Sequence, residues 1–385
     1  MLMPPFYFLV TFWGQAFADY LCKYPIPSLL APQNIDSLHE LDRAIFLFCT
    51  TDEDWEYLRA QPVFGTLASK IRTELISNPE KVSGEHKYPR MSRGHALLTQ
   101  RCFEDRAIAI NINPDSIYPD GSVASAQDLA QAGKHVVLCT AIRFDMDGID
   151  AELRTMNLLQ PNQPLTLSKR AAVEIGLRNL HSESQAADWT ARNFGRLHPD
   201  HGRRHFLTCC LWRVPDENGA IIITHNWAPF MTNYGALARH DVGALDGRAL
   251  DGNYIFENFW SGNFDGIHVT YDSDELFLLG LTPRDEMVPP QDAPGWLNAP
   301  LVREWSRGLI LNRTVYDPAI DVMRRKAYKI PVYWHSRDLN DRWQPTRETV
   351  KRLIGKYVSR DLEMPGSVSA GVMERCWRTY AKWYL

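Results

Sequence analysis

The sequence predicts an α/β fold, a mixed and largely parallel sheet with helices on both faces, followed by an antiparallel and helical C-terminal half. Over the first 143 residues, short β-branched or aromatic runs (Phe6–Phe12, Ala44–Cys49, Ile71–Ile76, and the runs at 107 and 135) alternate with stretches of helical spacing. That alternation is the pattern of βα units feeding a parallel sheet. After Phe144 it stops. The apolar runs 206–214 and 219–224 there flank Pro215-Asp-Glu-Asn-Gly219, a hairpin signal.

In chain order, Phe6–Phe12 ends at Trp13-Gly14, and Gln15–Tyr24 places Phe17, Leu21 and Tyr24 on one side of a helix. Pro25, Pro27 and Pro32 break the chain before Ala44–Cys49, whose end at Thr50-Thr51-Asp52-Glu53 carries a helix-start signal at Thr51. Ile71–Ile76 reads as a third strand and Met91–Arg101 as a helix. Asp145–Gly148 and 161–164 read as loops, and Ser168–Leu180 as a helix burying Ala171, Ala172, Ile175 and Leu180. Ile267–Tyr271 and Leu276–Leu281 read as a strand pair split by Asp272-Ser-Asp-Glu275. Helical pieces at 299–311 and 317–326, a strand at Lys329–Trp334 and a helix at Arg347–Tyr357 complete the reading. The expected division is 1–145 and 146–385, as halves of one continuous domain.

Of 385 residues, 45% are apolar and 23% charged, ordinary for a soluble globular protein. A net charge of −4 argues against a nucleic-acid partner, which calls for a basic stripe. Seven cysteines scattered from 22 to 376 form neither a disulfide ladder nor a zinc pair, which fits a reducing cytoplasm. Met1–Leu21 is apolar but has no basic n-region and carries Asp19, so it reads as a first strand and helix rather than a leader. No run approaches the roughly 18 apolar residues of a spanning helix, so any membrane contact is expected to be peripheral.

Candidate chemistry begins where the run Ala107–Ile112 stops at Pro114 and delivers Asp115, then Asp120, to a strand's carboxyl end. Open α/β sheets bind ligands there, and two carboxylates in that place suit a divalent cation with its phosphates. The alternative for Asp120 is a turn with Gly121 ahead of a helix capped at Ser122. Asp272 and Asp274 share one face of an extended backbone, with Glu275 beside them. His335 follows a strand and is a candidate metal ligand. His198, His201, His205 and His225 open a different reading, a zinc-type hydrolase. Neither a Walker nor a dinucleotide glycine loop is present, and Gly-x-Ser-x-Gly is absent.

Taken together, Val10-Thr-Phe-Trp-Gly14, Pro27-Ser-Leu-Leu-Ala-Pro-Gln-Asn34, Phe48-Cys-Thr-Thr51, Pro114-Asp-Ser-Ile-Tyr-Pro-Asp-Gly-Ser122 and Gly133-Lys134 resemble bacterial glycosyltransferase-like proteins with a GT-A-type nucleotide-diphospho-sugar fold. The resemblance implies a nucleotide-sugar donor bound by residues 1–145, with Thr11, Gly14, Thr51, Asp115 and Asp120 around it. It also implies a divalent metal (Mn or Mg) with Asp115 as the nearest equivalent of its acidic element; beside it, Asp120 and His335 are the further candidate ligands read from the residues, and in the acceptor side, 146–385, Asp272, Asp274 or Glu275 is the candidate base of an inverting transfer. The acceptor class is a glycan, a lipid-linked molecule or a protein. One departure stands out: the Asp-x-Asp of that fold is replaced by Asp115-x-x-x-x-Asp120, with Asn113 two residues before Asp115. A catalytically silent carbohydrate-binding protein on the same scaffold is the competing expectation.

Overall fold

The structure, a computed structural model, describes residues 3–78, 87–191, 194, 209–245, 250, 252–286, 304, 307–308, 311 and 320–358. The chain opens with β1 (Phe6–Thr11), whose residues are all buried. Its side chains alternate between two apolar clusters, Phe6, Phe8 and Val10 in one and Tyr7 and Leu9 in the other. A strand buried on both faces reads as one continuous apolar run, as here. Strand β2 (Ile45–Thr50) repeats this, and β3 (Arg72–Ser77) and β4 (Ile108–Asn111) complete a parallel set in the order β3-β2-β1-β4.

Helices cover both faces. On one side lie α1 (Gln15–Lys23), α2 (Pro25–Leu29), α4 (Pro62–Lys70) and α6 (Ser122–Gln131), which contribute Leu21, Ile26, Leu67 and Val123 to the cluster of Phe8. Helix α3 (Asp52–Arg59) starts at Thr51, as the sequence predicts. On the other side α5 (Lys87–Glu104) sets Leu98 and Cys102 against Tyr7, Leu9 and Leu47.

Residues beyond 145 enter the same sheet. Strand β10 (Trp227–Asn233) runs antiparallel between β4 and β6 (Val136–Thr140), and β11 (Ile267–Val269) pairs parallel with β6. Six of the seven strands in this sheet therefore point the same way. A small second sheet joins β5 (Ser116–Ile117), β12 (Leu279–Thr282) and β7 (Arg143–Asp145). A third, antiparallel sheet joins β8 (Cys209–Val214), β9 (Gly219–Thr224) and β13 (Val332–His335), and its first two strands are the expected hairpin. The fold is thus mixed α/β, with a largely parallel central sheet and an antiparallel and helical remainder.

Two expectations change. Asp145–Gly148 is not a loop: Asp145 ends β7, and its side chain accepts the Asp147 amide at 3.1 Å to cap α7 (Met146–Thr155). Met146, Ile149 and Leu153 are buried along one side of that helix. Nor do 267–271 and 276–281 pair with one another, since β11 belongs to the central sheet and β12 to the small one. Backbone bonds to β13 draw the chain between them away, Ser273 N–H to the Tyr333 carbonyl and Tyr333 N–H to that of Tyr271. The expected helix at 299–311 lies almost wholly outside the described residues.

The strand order locates the ligand crevice. From β1 the chain winds outward through β2 to β3, then returns to the opposite side of β1 at β4. Such a reversal leaves the loops after β1 and β4 diverging, and the gap between them is where open α/β sheets take ligands.

Candidate functional site at the carboxyl edge of the sheet

Gly14 after β1, Thr51 after β2 and Asp54 in the first turn of α3 are tied together. Gly14, at φ +84, adopts a backbone conformation that side-chain-bearing residues rarely reach. Its amide donates to Asp54 Oδ2 at 2.8 Å. The Thr51 hydroxyl donates to the same oxygen at 2.8 Å and accepts the Asp54 amide at 3.1 Å. Asp54 thus latches the two loops, a role the sequence reading missed. Thr11, the buried last residue of β1, lies under α5 at Gly94.

On the other side of β1, a cavity of about 190 Å³ is lined by Leu9, His95, Asn111, Asn113, Asn226 and Trp227, among others. Asn111 is oriented by donating to the Pro229 carbonyl at 2.9 Å, and the Asn113 amide donates to the Tyr118 hydroxyl at 2.7 Å. Burial pushes the His95 pKa down to about 4, so its imidazole is neutral at physiological pH and can donate or accept.

Asp115 does follow β4, but its carboxylate forms an ion pair with Arg143, and its carbonyl accepts the Leu281 amide at 2.8 Å. Arg143 is fixed in turn by donating to Thr282 Oγ1 at 2.9 Å. The Asp120 carboxylate accepts the Gln33 amide at 2.7 Å. It lies in a separate cleft of about 550 Å³ with Gln33, Lys169, Arg170 and Asp274. The Lys169 ammonium is occupied there by Ser125 Oγ at 2.8 Å and by the carbonyls of Asp274 and Glu275.

His335 groups with the 272–274 turn rather than with Asp115 and Asp120. Ligand atoms of Asp272, Asp274 and His335 lie within 4.8 Å of one another, the group among the described residues that can hold a metal ion. His335 Nδ1 faces the Arg337 carbonyl at 2.8 Å, and Nε2 faces Asp272 Oδ1 at 2.8 Å. A carbonyl only accepts, so Nδ1 carries a proton and Nε2 is the nitrogen left for a ligand, the arrangement common in metal-binding histidines. The ring meets both acceptors as imidazolium, and a divalent cation between Nε2 and the carboxylates would replace the second proton. Burial opposes the charge on His335, but Asp272 and the Arg337 carbonyl outweigh it and raise its pKa. Burial likewise pushes the Asp272 pKa up, while His335 and the Asp274 amide bring it net below the usual carboxylate value. Arg170 takes the Asp274 carboxylate in a forked pair, at 2.7 Å from Nη2, and also pairs with Asp338. Glu275 turns instead to His268 Nε2 at 2.8 Å.

Strand β11 runs parallel to β6, so the 272–275 turn issues from the same edge of the sheet as the loops after β1, β2 and β4. His225, at the end of β9, stacks on Tyr328 with ring centroids 5.9 Å apart. His198, His201 and His205 lie outside the described residues. Arg143, Arg170 and His95 had no signal in local spacing, whereas the Thr51-x-x-Asp54 spacing could have pointed to Asp54.

No protein-family model and no curated protein matches the chain. Among solved structures, S. aureus TarS is similar with a TM-score of 0.26 at 9% identity, over 46% of this chain and 34% of that one. A putative glucose-1-phosphate thymidylyltransferase from Bacillus anthracis, in complex with a sucrose, is similar with a TM-score of 0.23 at 8% identity, over 38% of this chain and 57% of that one. This chain therefore spans about a third of the first structure and just over half of the second.

Proposed function

We propose that the chain is a glycosyltransferase that takes a sugar from a nucleotide-diphosphate donor and passes it to a hydroxyl of a glycan, lipid-linked or protein acceptor. The observation that carries this reading is the reversal of strand order at β1 and β4, above which Asn111, Asn113 and the neutral His95 are the polar groups of a mostly apolar cavity. The donor lies over residues 1–145, with Thr11, Gly14 and Thr51 shaping the nucleoside side. Residues 146–385 supply the acceptor side.

Transfer needs the departing diphosphate stabilised and the acceptor hydroxyl deprotonated. One of Asp272, Asp274 and Glu275 is proposed for the second task, and it is Glu275 where Asp272 and Asp274 hold a metal. A manganese or magnesium ion, when bound, supplies charge for the first. Asp272, Asp274 and His335 fit such an ion, whereas Asp115 is neutralised by Arg143 and serves to brace β5 against β12. No helix among the described residues is long and apolar enough to cross a membrane, which leaves a lipid-linked acceptor to be met from the surface.

The test is thermal denaturation with uridine and guanosine diphosphates, with and without manganese, followed by donor hydrolysis. A ligand that binds only the folded state raises the transition temperature. If no nucleoside diphosphate at millimolar concentration does so, the donor reading is wrong. A shift without hydrolysis or transfer identifies the silent binding protein instead, a reading favoured by the loss of Asp115 to Arg143.

A further inference from the structure

We infer that Arg90 is the receptor for the donor's phosphates, an anion site at the start of α5 that operates without a metal; the inference deepens the donor reading and rests on it. Arg90 lies in the first turn of this 18-residue helix. The helix dipole makes such a terminus favourable for negative charge. That alone is not a site. The independent observation is the side chain itself, which is only 7% exposed, with its guanidinium 5.0 Å above the Trp13 ring. Its Nε finds no hydrogen-bond partner, and no carboxylate pairs with it among the described residues. Nε is thus a donor shut off from water with no partner among the described residues, and an anion that reaches the guanidinium would complete it.

The surroundings show where that anion sits. Trp13 follows β1, and Asn78 follows β3 and donates to the Arg90 carbonyl at 3.4 Å. Arg90 is therefore pinned over the carboxyl ends of the parallel strands, beside the crevice and not on the outer surface. Arg93, one turn later, donates from Nε to Asn78 Oδ1 at 3.3 Å and ties this part of α5 to the end of β3. Carboxylates in the first turn of the neighbouring helix α3 accept other donors, Asp54 from Gly14 and Thr51, and Asp52 from the Ser77 hydroxyl. Met91 and His95 of the same helix line the 190 Å³ cavity, so a ligand whose phosphates meet Arg90 can reach that cavity with its remaining groups. The ligand class is a phosphate or diphosphate ester. A guanidinium presents a planar fork of donors to phosphate oxygens, and Trp13 holds that plane fixed.

The test uses the full chain with a chelator present and three probes: inorganic pyrophosphate, uridine diphosphate and uridine. Binding is followed by calorimetry and thermal shift in wild type, Arg90→Gln and Arg90→Lys. Pyrophosphate and uridine diphosphate are expected to bind wild type without metal, and Arg90→Gln to weaken both about tenfold or more, as for the loss of a charge-assisted bond. Uridine binding should be unchanged, and Arg90→Lys should recover part of the loss. Should Arg90→Gln fail to fold, Arg90→Lys, which keeps the charge and loses the fork, still has to bind pyrophosphate more weakly than wild type. Equal pyrophosphate affinity in folded wild type and variants overturns the inference. If uridine diphosphate binds wild type and both variants alike, the Arg90 site falls while the donor reading stands. If pyrophosphate binds through Arg90 but no nucleotide binds more tightly, the anion site stands and the donor reading falls.

Discussion

Gly94→Ala probes the seating of α5 on β1 directly. A Cβ at position 94 would stand 2.2 Å from Thr11 Oγ1, 3.0 Å from Thr11 Cβ and 3.1 Å from Asn78 Nδ2. Rotating the Thr11 side chain relieves the first contact but not the second, because the Cβ moves only with the strand. The helix must therefore retreat from β1. Overpacking of this kind costs about 1–3 kcal/mol, while alanine gains about 1 kcal/mol over glycine inside a helix. The net loss is about 0–2 kcal/mol. Unfolding a chain of 385 residues at about 2.1 cal/mol/K per residue carries about 0.8 kcal/mol/K, so the melting temperature should fall by no more than about 2–3 °C. Donor binding should suffer more, because Arg90, Met91 and His95 move with the helix relative to Thr11 and Trp13; about a tenfold loss of nucleoside diphosphate affinity is expected. Adding Thr11→Ala removes the 2.2 Å contact and should restore part of both, a favourable coupling of about 0.5–2 kcal/mol. Denaturation and calorimetry on the two single variants and the double variant measure every term. A Gly94→Ala protein more stable than wild type, with unchanged nucleotide affinity, would show that α5 does not define one wall of the crevice.

Asp272→Asn should flatten the pH dependence of stability. The raised His335 pKa contributes stability that is full below the ordinary value of 6.5 and is lost as pH climbs through the folded value above it. The depressed Asp272 pKa contributes stability present above 3.8 that is lost as pH falls through a lower value. Wild type should thus lose more stability than the variant between pH 6 and 8, checked by melting temperatures and by imidazole proton resonances. Manganese affinity should drop in Asp274→Asn and His335→Gln and fall with acid in wild type, whereas Asp115→Asn should leave it unchanged and lower stability by about 1 kcal/mol through the stranded Arg143; titration calorimetry reads each. Asp54→Ala, which unties Gly14 from Thr51 and takes a carboxylate from the first turn of α3 while leaving the Thr51 cap in place, should cost about 1–2 kcal/mol in urea denaturation.

Elements whose stability is local were legible in the sequence, and those set by distant partners were not. Strands β1 and β2 announce themselves as unbroken apolar runs because both their faces are covered, and α3 and the helix Lys169–Arg178 announce themselves through their capping residues Thr51 and Ser168. Strand β10 hid behind Pro229, since a proline in a central strand forfeits a ladder hydrogen bond. The strand tolerates it because its register with β6 shifts between Pro229 and Met231, so the missing donor falls at an irregularity. Helix α7 hid for a similar reason: Asp145, Asp147 and Gly148 have turn-like composition, and only the burial of Met146, Ile149 and Leu153 decides for a helix.

The site divides along the same line. Asp115 was legible as a strand-end carboxylate, but its charge is spent on Arg143, 28 residues later, and Asp274 is held by Arg170 from 104 residues away. No spacing rule reaches such partners, because they meet through the sheet and not along the chain. With six strands aligned, segments as remote in sequence as Trp13, Asn78, Asp115 and Asp272 all leave from one edge of the central sheet. A carboxylate at that edge is therefore no ligand by position alone: its function depends on whether a guanidinium has already neutralised it. By the same reasoning, a guanidinium at that edge with no carboxylate partner among the described residues, as at Arg90, is the group left to meet an anion.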